Sequence, residues 1–224
     1  NNKTYRVKAK KIVMATGGWV NKHVVRDLPD DIRTAYDQFN HVPFLIANVA
    51  VKNWKFLEKL GISSCVWRDG IFGNSCNVRL PMTVGDYQPE IDPNKPALVT
   101  FYVPFYYPGM DMVEQGMTGR AELFSTSYAE YEQKIRTQMI ELFGETGFDP
   151  DKDIAGIILN RWGHAYVTPQ PGFFFGVNGE PAPSDVIRKG FGRIAFAHSE
   201  LQGMQHWGPA ADEGARAVGQ LSKF

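Results

Sequence analysis

The chain has 224 residues, of which 43% are hydrophobic and 13% aromatic, and its 24 basic side chains balance 24 acidic ones. This composition is typical of a globular polypeptide with one large or two small domains. The zero formal net charge argues against nucleic acid as the partner, because neutralising a phosphate backbone needs a basic face. No apolar run reaches the ~20 residues needed to cross a bilayer, so the sequence predicts no transmembrane segment.

The sequence begins at Asn1 without an initiator methionine or an apolar signal region. We therefore expect the chain to be part of a longer gene product.

The two cysteines, Cys65 and Cys76, are too few for a four-cysteine zinc site, and no histidine pair lies near them in sequence. The sequence therefore predicts no metal site. Cys65 precedes and Cys76 follows the turn-forming pairs Asp69-Gly70 and Gly73-Asn74, so a hairpin could bring the two cysteines together. A disulfide in an oxidising compartment and two unpaired buried thiols are both compatible with this pattern.

Apolar periodicity and turn residues predict the elements of the first half of the chain. Residues 5–15 alternate and then become continuously apolar, which indicates a strand entering a sheet covered on both faces. The next elements are a helix over 28–35 that begins after a proline, a strand over 43–51 and a short helix over 54–60 closed by Gly61.

Closely spaced turn signals between Cys65 and Pro108 indicate an antiparallel sheet, whose strongest strand is Ala97 to Val103. Helical spacing of apolar residues predicts a helix from Tyr128 to Phe143. The later elements are a strand at 157–159, a loop rich in proline and glycine up to 183, a strand at 192–197, and a helix from Gly208 to Leu221.

The closing strand, loop and helix are the strongest candidate for a ligand site. Gly208 allows close approach to the backbone, Pro209 suits the first helical turn, and the amides of Ala210 and Ala211 are expected to be uncovered. A helix start of this kind can hold an anion or an electron-rich ring edge. An ordinary strand-to-helix connection with a buried Trp207 would carry the same local sequence.

The absence of three known motifs argues against several kinds of chemistry. The chain contains no glycine-rich dinucleotide fingerprint after a strand, no phosphate-binding loop and no Gly-x-Ser-x-Gly elbow. His164 and His206, each near a tryptophan, could act as an acid, a base or a substrate ligand, or be structural. The aromatic run from Phe101 to Pro108 could line an apolar pocket or belong to the core.

Three segments together resemble the C-terminal part of the FAD-dependent amine oxidase superfamily, and within it the spermidine dehydrogenase-like bacterial flavoproteins. They are Val13-Met14-Ala15-Thr16-Gly17-Gly18, Asn160-Arg161-Trp162-Gly163-His164-Ala165-Tyr166, and the closing strand Arg193 to Ala197 followed by Trp207-Gly208-Pro209-Ala210-Ala211. The resemblance spans essentially the whole chain in order, and the last segment is the most specific.

The resemblance implies an α+β or α/β fold. An antiparallel-sheet substrate domain with helices would span 21–185. A strand and turn at 1–20, with the closing strand and flavin-capping helix at 186–224, would belong to a Rossmann-like FAD domain whose N-terminal half is absent. That half would come from a companion polypeptide or an upstream segment.

The resemblance also implies site residues. Candidates for binding FAD are Thr16, Gly17, Trp162, Glu200, Trp207, Gly208, Pro209, Ala210 and Ala211, and candidates for catalysis are His206, Trp207 and His164. One departure concerns Glu200. The family usually reads Phe-Ala-Gly-Glu here, whereas this chain has Phe196-Ala197-His198-Ser199-Glu200, so the acid is displaced by one position.

The implied reaction is oxidation of a small, polyamine-like amine by hydride transfer to the flavin. A non-catalytic interaction subunit with a degenerate flavin fold and a desaturase-like flavoprotein acting on an apolar substrate are the alternatives. The resemblance favours a periplasmic location and leaves a cytoplasmic one open.

Overall fold

The computed structural model describes residues 2–223, and these form two compact units. One unit is Val42–His164, and the other combines residues 2–41 with residues 165–223. Each unit has its own hydrophobic core. The functional division into 1–20, 21–185 and 186–224 remains a prediction.

The strands and helices alternate irregularly along the chain, as expected for a mixed fold. In chain order the strands are β1 (Ile12–Met14), β2 (His41–Val51), β3 (Ser64–Val66), β4 (Ser75–Arg79), β5 (Ala97–Pro104), β6 (Ile154–Val167) and β7 (Ile194–Phe196). The α-helices are α1 (Gly18–Val24), α2 (Asp30–Asp37), α3 (Lys55–Leu60), α4 (Met112–Ser125), α5 (Tyr128–Phe143), α6 (Pro150–Asp153), α7 (Pro183–Arg188) and α8 (Trp207–Ser222). Two 3-10 turns lie at Gly144–Thr146 and Ser199–Gln202.

The unit Val42–His164 is built on a five-stranded sheet with the order β3-β4-β5-β2-β6. Strands β2, β5, β4 and β3 pair in antiparallel fashion, which confirms the predicted antiparallel sheet. Along β2 the odd-numbered residues are buried and the even-numbered ones are half-buried, as period-two side-chain alternation requires. Leu123 of α4 and Ile135 of α5 share one core cluster with the buried sheet residues, so these helices cover one face of the sheet.

The other unit contains a two-stranded sheet in which β1 and β7 run parallel. Small residues allow α8 to pack closely on β7, because Ala195 and Ala197 form a cluster with Ala217 and Leu221. The combination of an antiparallel sheet, a parallel pair and helices is the predicted mixed fold class. None of the helices in residues 2–223 has both the length and the apolar character that a membrane span needs.

Several predicted elements are confirmed. Helix α5 occupies Tyr128–Phe143, and the Ser127 hydroxyl and the Glu130 carboxylate close a capping box at its start. Helix α3 ends at Gly61, whose φ of 68° is left-handed. Helix α2 follows Pro29 and carries Asp30 and Asp31 in its first turn.

Other predictions are wrong in extent. The first strand is limited to Ile12–Met14, and Ile12 and Val13 are 42% and 38% exposed, so it is not covered on both faces in this structure. Strand β6 is longer than predicted, and the sequence patterns predict none of α1, α4, α6 and α7. In α4 the apolar residues do not follow a single stripe, and two of its buried residues are Gly116 and Gly119, which periodicity does not register as core.

The hairpin predicted between the cysteines is present. Cys65 and Cys76 lie directly opposite each other on β3 and β4, and their sulfur atoms are 3.5 Å apart as free thiols. Cys76 is buried and Cys65 is partly exposed. The unbridged alternative therefore describes this structure.

Candidate functional site

The first part of the site forms where β1 and β7 end side by side. Because parallel strands end at the same edge of a sheet, the turn after β1 and the loop after β7 meet there. The Ala197 amide donates to the Met14 carbonyl at 2.8 Å and extends this pairing. Thr16 and Gly17 follow β1, and Glu200 follows β7.

Glu200 is buried beneath the turn, with 1% of its side chain exposed. One carboxylate oxygen accepts a hydrogen bond from the Gly18 amide, and the other lies 2.7 Å from Nε2 of His41. His198 Nδ1 lies 3.8 Å from the first oxygen. The carboxylate therefore fixes the start of α1 and the start of β2, and within this structure it is enclosed by protein groups.

A second polar group extends this buried cluster. The Asn21 amide donates to the Thr16 carbonyl at 3.1 Å and to the Tyr36 hydroxyl at 3.0 Å, and the Thr16 hydroxyl donates to the Asn21 side-chain oxygen. Burial raises the pKa of Tyr36. The Asn21 hydrogen bond opposes part of this increase, and the nearby charges of Glu200 and Arg216 have smaller effects that respectively raise and lower the pKa. The Tyr36 phenol is therefore neutral at physiological pH.

The second part of the site is the start of α8. His206 is the N-cap residue, and its side chain makes no capping hydrogen bond. The helix begins one residue earlier than predicted, so the Ala210 amide donates to the His206 carbonyl at 3.0 Å. The expectation that the Ala210 amide is uncovered is therefore wrong in this structure. In the described part of the chain, the amides without an acceptor at this end are those of Trp207 and Gly208.

The surface at this helix start is open. Trp207 is 78% exposed, and a Cβ atom placed on Gly208 would meet only Nδ1 of His206, at 3.8 Å. No acidic side chain lies in the first turn of α8. The partial positive charge of the 16-residue helix is thus not neutralised by an acid of that first turn.

A buried carboxylate anchors α8. Glu213 is 3% exposed and accepts hydrogen bonds from Nη2 of Arg188 and from Nε of Arg216, both at 2.7 Å. Arg216 also donates to the carbonyl of Phe196, at the end of β7. Burial alone would raise the pKa of Glu213, but the hydrogen bonds and charges of the two arginines outweigh it and lower the pKa. This cluster holds α8 to α7 and to the end of β7.

The structure brings Thr16, Gly17 and Glu200 together at the first turn, and His206 through Ala211 at the start of α8. Trp162 and His164 lie on β6 in the other unit, where Trp162 is 58% exposed. Among residues 2–223 no group of three or more His, Cys, Asp or Glu side chains could hold a metal ion.

Sequence reasoning missed the residues that support the site, namely Asn21, Tyr36, His41, Arg188, Glu213 and Arg216. The Glu200 contacts join residues 159 and 182 positions apart, so no local motif reveals them. One local signal was available for Glu213. It lies four residues before the buried Ala217, at a position where helical periodicity predicts an apolar side chain, so a charged residue there indicates a buried ion pair.

The fold is similar to solved structures of amine oxidases. A cyclohexylamine oxidase from Brevibacterium oxydans IH-35A matches 95% of this chain with a TM-score of 0.63 and 14% identity. A wild-type putrescine oxidase bound to putrescine matches 96% with a TM-score of 0.60 and 14% identity. The chain corresponds to 43% of each of those chains, less than half of their length.

No protein-family model matches the chain, and no curated protein matches it either. The similarity to these oxidases is therefore one of fold.

Proposed function

We propose that this chain is part of an FAD-dependent oxidoreductase that oxidises an amine. The observation that carries the proposal is the start of α8, a long helix with two unpaired amides, an open glycine and an exposed tryptophan. The similarity of the chain's fold to two amine oxidases supports the same proposal. The remainder of the FAD site would come from a companion polypeptide or an upstream segment.

The residues at the start of α8 fit the edge of a flavin ring. The ring edge carries carbonyl oxygens, which need donors, and the Trp207 and Gly208 amides are donors with no acceptor in the described chain. The absence of a side chain at Gly208 leaves room for a flat group to approach the backbone. The FAD would accept the hydride from the carbon next to the amine nitrogen.

The protein groups contribute orientation and electrostatics. The amides and the dipole of α8 favour negative charge at the helix start, and they are oriented in advance because Glu213 and the two arginines fix the helix. In the proposal, Trp207 and Trp162 act as aromatic walls, and His206 and His164 are candidates for contact with the substrate. Thr16 and Gly17 would contact the cofactor at the first turn.

Glu200 has a different place in the proposal. Its carboxylate is enclosed by Gly18 and His41, so we assign it to positioning the turn rather than to direct contact with FAD. The resemblance implies a polyamine-like substrate and a periplasmic location. We include both in the proposal, as the first options to test.

The test is made on the intact protein that contains this chain. Flavin absorbance and its bleaching by an added amine under anaerobic conditions measure binding and reduction together. Gly208→Val should weaken flavin retention by about 10-fold or more, because its branched side chain would occupy the space beside the amides.

Gly219→Val is the matched control, because it lies on the same helix and a Cβ there meets nothing within 4 Å. Valine is no worse a helix former than glycine, so neither variant loses helix propensity. Equal flavin content and reduction in both variants would show that the flavin lies elsewhere. A protein that retains FAD but is not reduced by any amine would support the non-catalytic alternative.

A further inference from the structure

Two thiols face each other across the hairpin of β3 and β4. Cys65 and Cys76 are direct partners in the strand register, and their sulfur atoms are 3.5 Å apart. Both side chains lie on the core face of the sheet, because Cys76 belongs to the core cluster and Cys65 packs against it. Both residues belong to the unit Val42–His164, so the pair is complete within one compact unit.

The backbone of the hairpin holds the two thiols in a geometry that a disulfide can adopt. On one side of the pair the Trp67 amide donates to the Asn74 carbonyl at 3.0 Å. On the other side the Val78 amide donates to the Ser63 carbonyl at 2.9 Å. Since hydrogen-bonded and non-hydrogen-bonded pairs alternate along an antiparallel ladder, the cysteines between them also form a hydrogen-bonded pair. The Cα atoms of such a pair are about 5.5 Å apart, which a disulfide spans without a change of register.

The two thiols differ in their access to solvent. Cys65 is partly exposed and lies on β3, the outer strand of the sheet. Cys76 is 2% exposed, and its partner on the other side, Phe101 of β5, is fully buried. A small molecule that arrives from solvent therefore meets the Cys65 sulfur before the Cys76 sulfur.

The contact between the thiols also makes them chemically unequal. A hydrogen bond with the Cys76 side chain lowers the pKa of Cys65, burial opposes part of this decrease, and a hydrogen bond with the Cys76 backbone adds to it. The same side-chain hydrogen bond, burial and the charge of Cys65 raise the pKa of Cys76. Because the thiolate is the nucleophile, Cys65 is the reactive member of the pair and Cys76 keeps its proton.

We propose that Cys65 is a modification site for hydrogen peroxide, and that Cys76 then converts the product into a disulfide. In the first step the Cys65 thiolate attacks one peroxide oxygen. The S–O bond forms, the O–O bond breaks, and the departing hydroxide combines with the proton that Cys65 released on ionising. In the second step the Cys76 sulfur attacks the Cys65 sulfur. The S–S bond forms, the S–O bond breaks, and the Cys76 proton leaves with the hydroxyl group as water. The thiol pair is oxidised by two electrons, and the peroxide is reduced to water.

The test uses the intact protein that contains this chain, first reduced and then treated briefly with hydrogen peroxide. Dimedone is present to trap sulfenic acids, and peptide mass mapping identifies the modified cysteine in a protein of any length. We expect dimedone on Cys65 and none on Cys76, and a disulfide between the two when dimedone is omitted. Dimedone on Cys76, or two thiols that survive the peroxide, would overturn the proposal.

Matched single variants measure the two roles separately. Cys76→Ser removes the second sulfur but keeps a hydroxyl donor, so the sulfenic acid should accumulate on Cys65. Cys76→Ala also removes the donor and should oxidise at Cys65 about 10-fold more slowly than Cys76→Ser, because the thiolate loses a stabilising hydrogen bond. In Cys65→Ser, the remaining Cys76 should oxidise about 100-fold more slowly than Cys65 does in Cys76→Ser. Equal rates in the two serine variants would contradict the assigned order.

The dimedone measurement on the native protein needs no substitution in the core, so it decides the order of oxidation even where a variant of Cys76 fails to fold. The inference is also independent of the proposed amine oxidation. A protein that oxidises amines while both thiols survive peroxide would overturn this inference alone. A dimedone adduct on Cys65 in a protein that binds no flavin would support it and count against the proposed function.

Discussion

The buried carboxylate of Glu213 gives the most demanding prediction about stability. Its two arginine partners are 26% and 28% exposed, whereas Glu213 is 3% exposed, so the carboxylate is the desolvated member of the cluster. Glu213→Gln keeps the size of the side chain but removes the carboxylate partner of Arg216 and leaves Arg188 only the exposed Asp185, at 3.3 Å. Removing one partner of a buried ion pair costs about 3 to 5 kcal/mol, and the partial exposure of the arginines places the expected loss near 3 kcal/mol.

The assay is amide hydrogen exchange of α8, which reports local stability in a protein of any length. A loss of about 3 kcal/mol corresponds to exchange faster by about 100-fold for the protected α8 amides. Glu132→Gln is the matched control, because Glu132 pairs with Arg136 four residues later on α5 and is 33% exposed. An exposed helical pair of this kind contributes about 0.3 to 0.5 kcal/mol.

The pH dependence has a definite sign. Because the folded protein lowers the pKa of Glu213 below its unfolded value of about 4.3, its stabilisation is complete above that pH and declines as the pH falls through the folded pKa. The difference in α8 exchange between the native protein and Glu213→Gln should therefore be constant from pH 7 to about pH 5 and shrink in more acidic solution. A similar small effect of Glu213→Gln and Glu132→Gln would refute the anchoring role.

Two other predictions concern the turn after β1 and the hairpin. Gly18→Ala should destabilise the protein by about 1 to 3 kcal/mol in urea unfolding, because the added Cβ would overlap the Tyr36 ring and lie 2.9 Å from Glu200 Oε1. Gly214→Ala, which meets nothing within 4 Å, should be neutral or stabilising, and equal costs would contradict the steric argument. Glutathione disulfide should convert the opposed thiols of Cys65 and Cys76 into one disulfide, seen as the loss of two titratable thiols, since their sulfur atoms are 3.5 Å apart. Retention of both thiols under that treatment would show that the hairpin cannot close the bond.

The amino-acid sequence was informative wherever a signal was local. The helical spacing of apolar residues from Tyr128 to Phe143, the glycine Gly61 after the short helix and the apolar run over 43–51 are all local signals, and the structure confirms the elements they predict. The antiparallel sheet followed from closely spaced turns for the same reason. A strand of three residues such as β1 has too few side chains for its periodicity to fix its ends.

In the candidate site, too, the sequence revealed the local features and not the contacts between distant residues. The glycine and proline at the start of α8 were visible in the sequence, because the backbone conformation of a helix start depends on the residues present there. The sequence also drew attention to Glu200 but not to what surrounds it, since its carboxylate meets the Gly18 amide only after β7 is placed beside β1.

The orientation of Arg79 shows the part that tertiary structure alone decided. The sequence shows an arginine at the end of a short strand, and nothing nearby indicates what its side chain contacts. The register of β4 against β5 places it beside Thr100 and Tyr102, and the register of β5 against β2 adds Asn48. Local sequence set backbone conformation, whereas the pairing of distant strands determined which charges are neutralised and which remain available, because Coulomb and hydrogen-bond energies depend on separation in space.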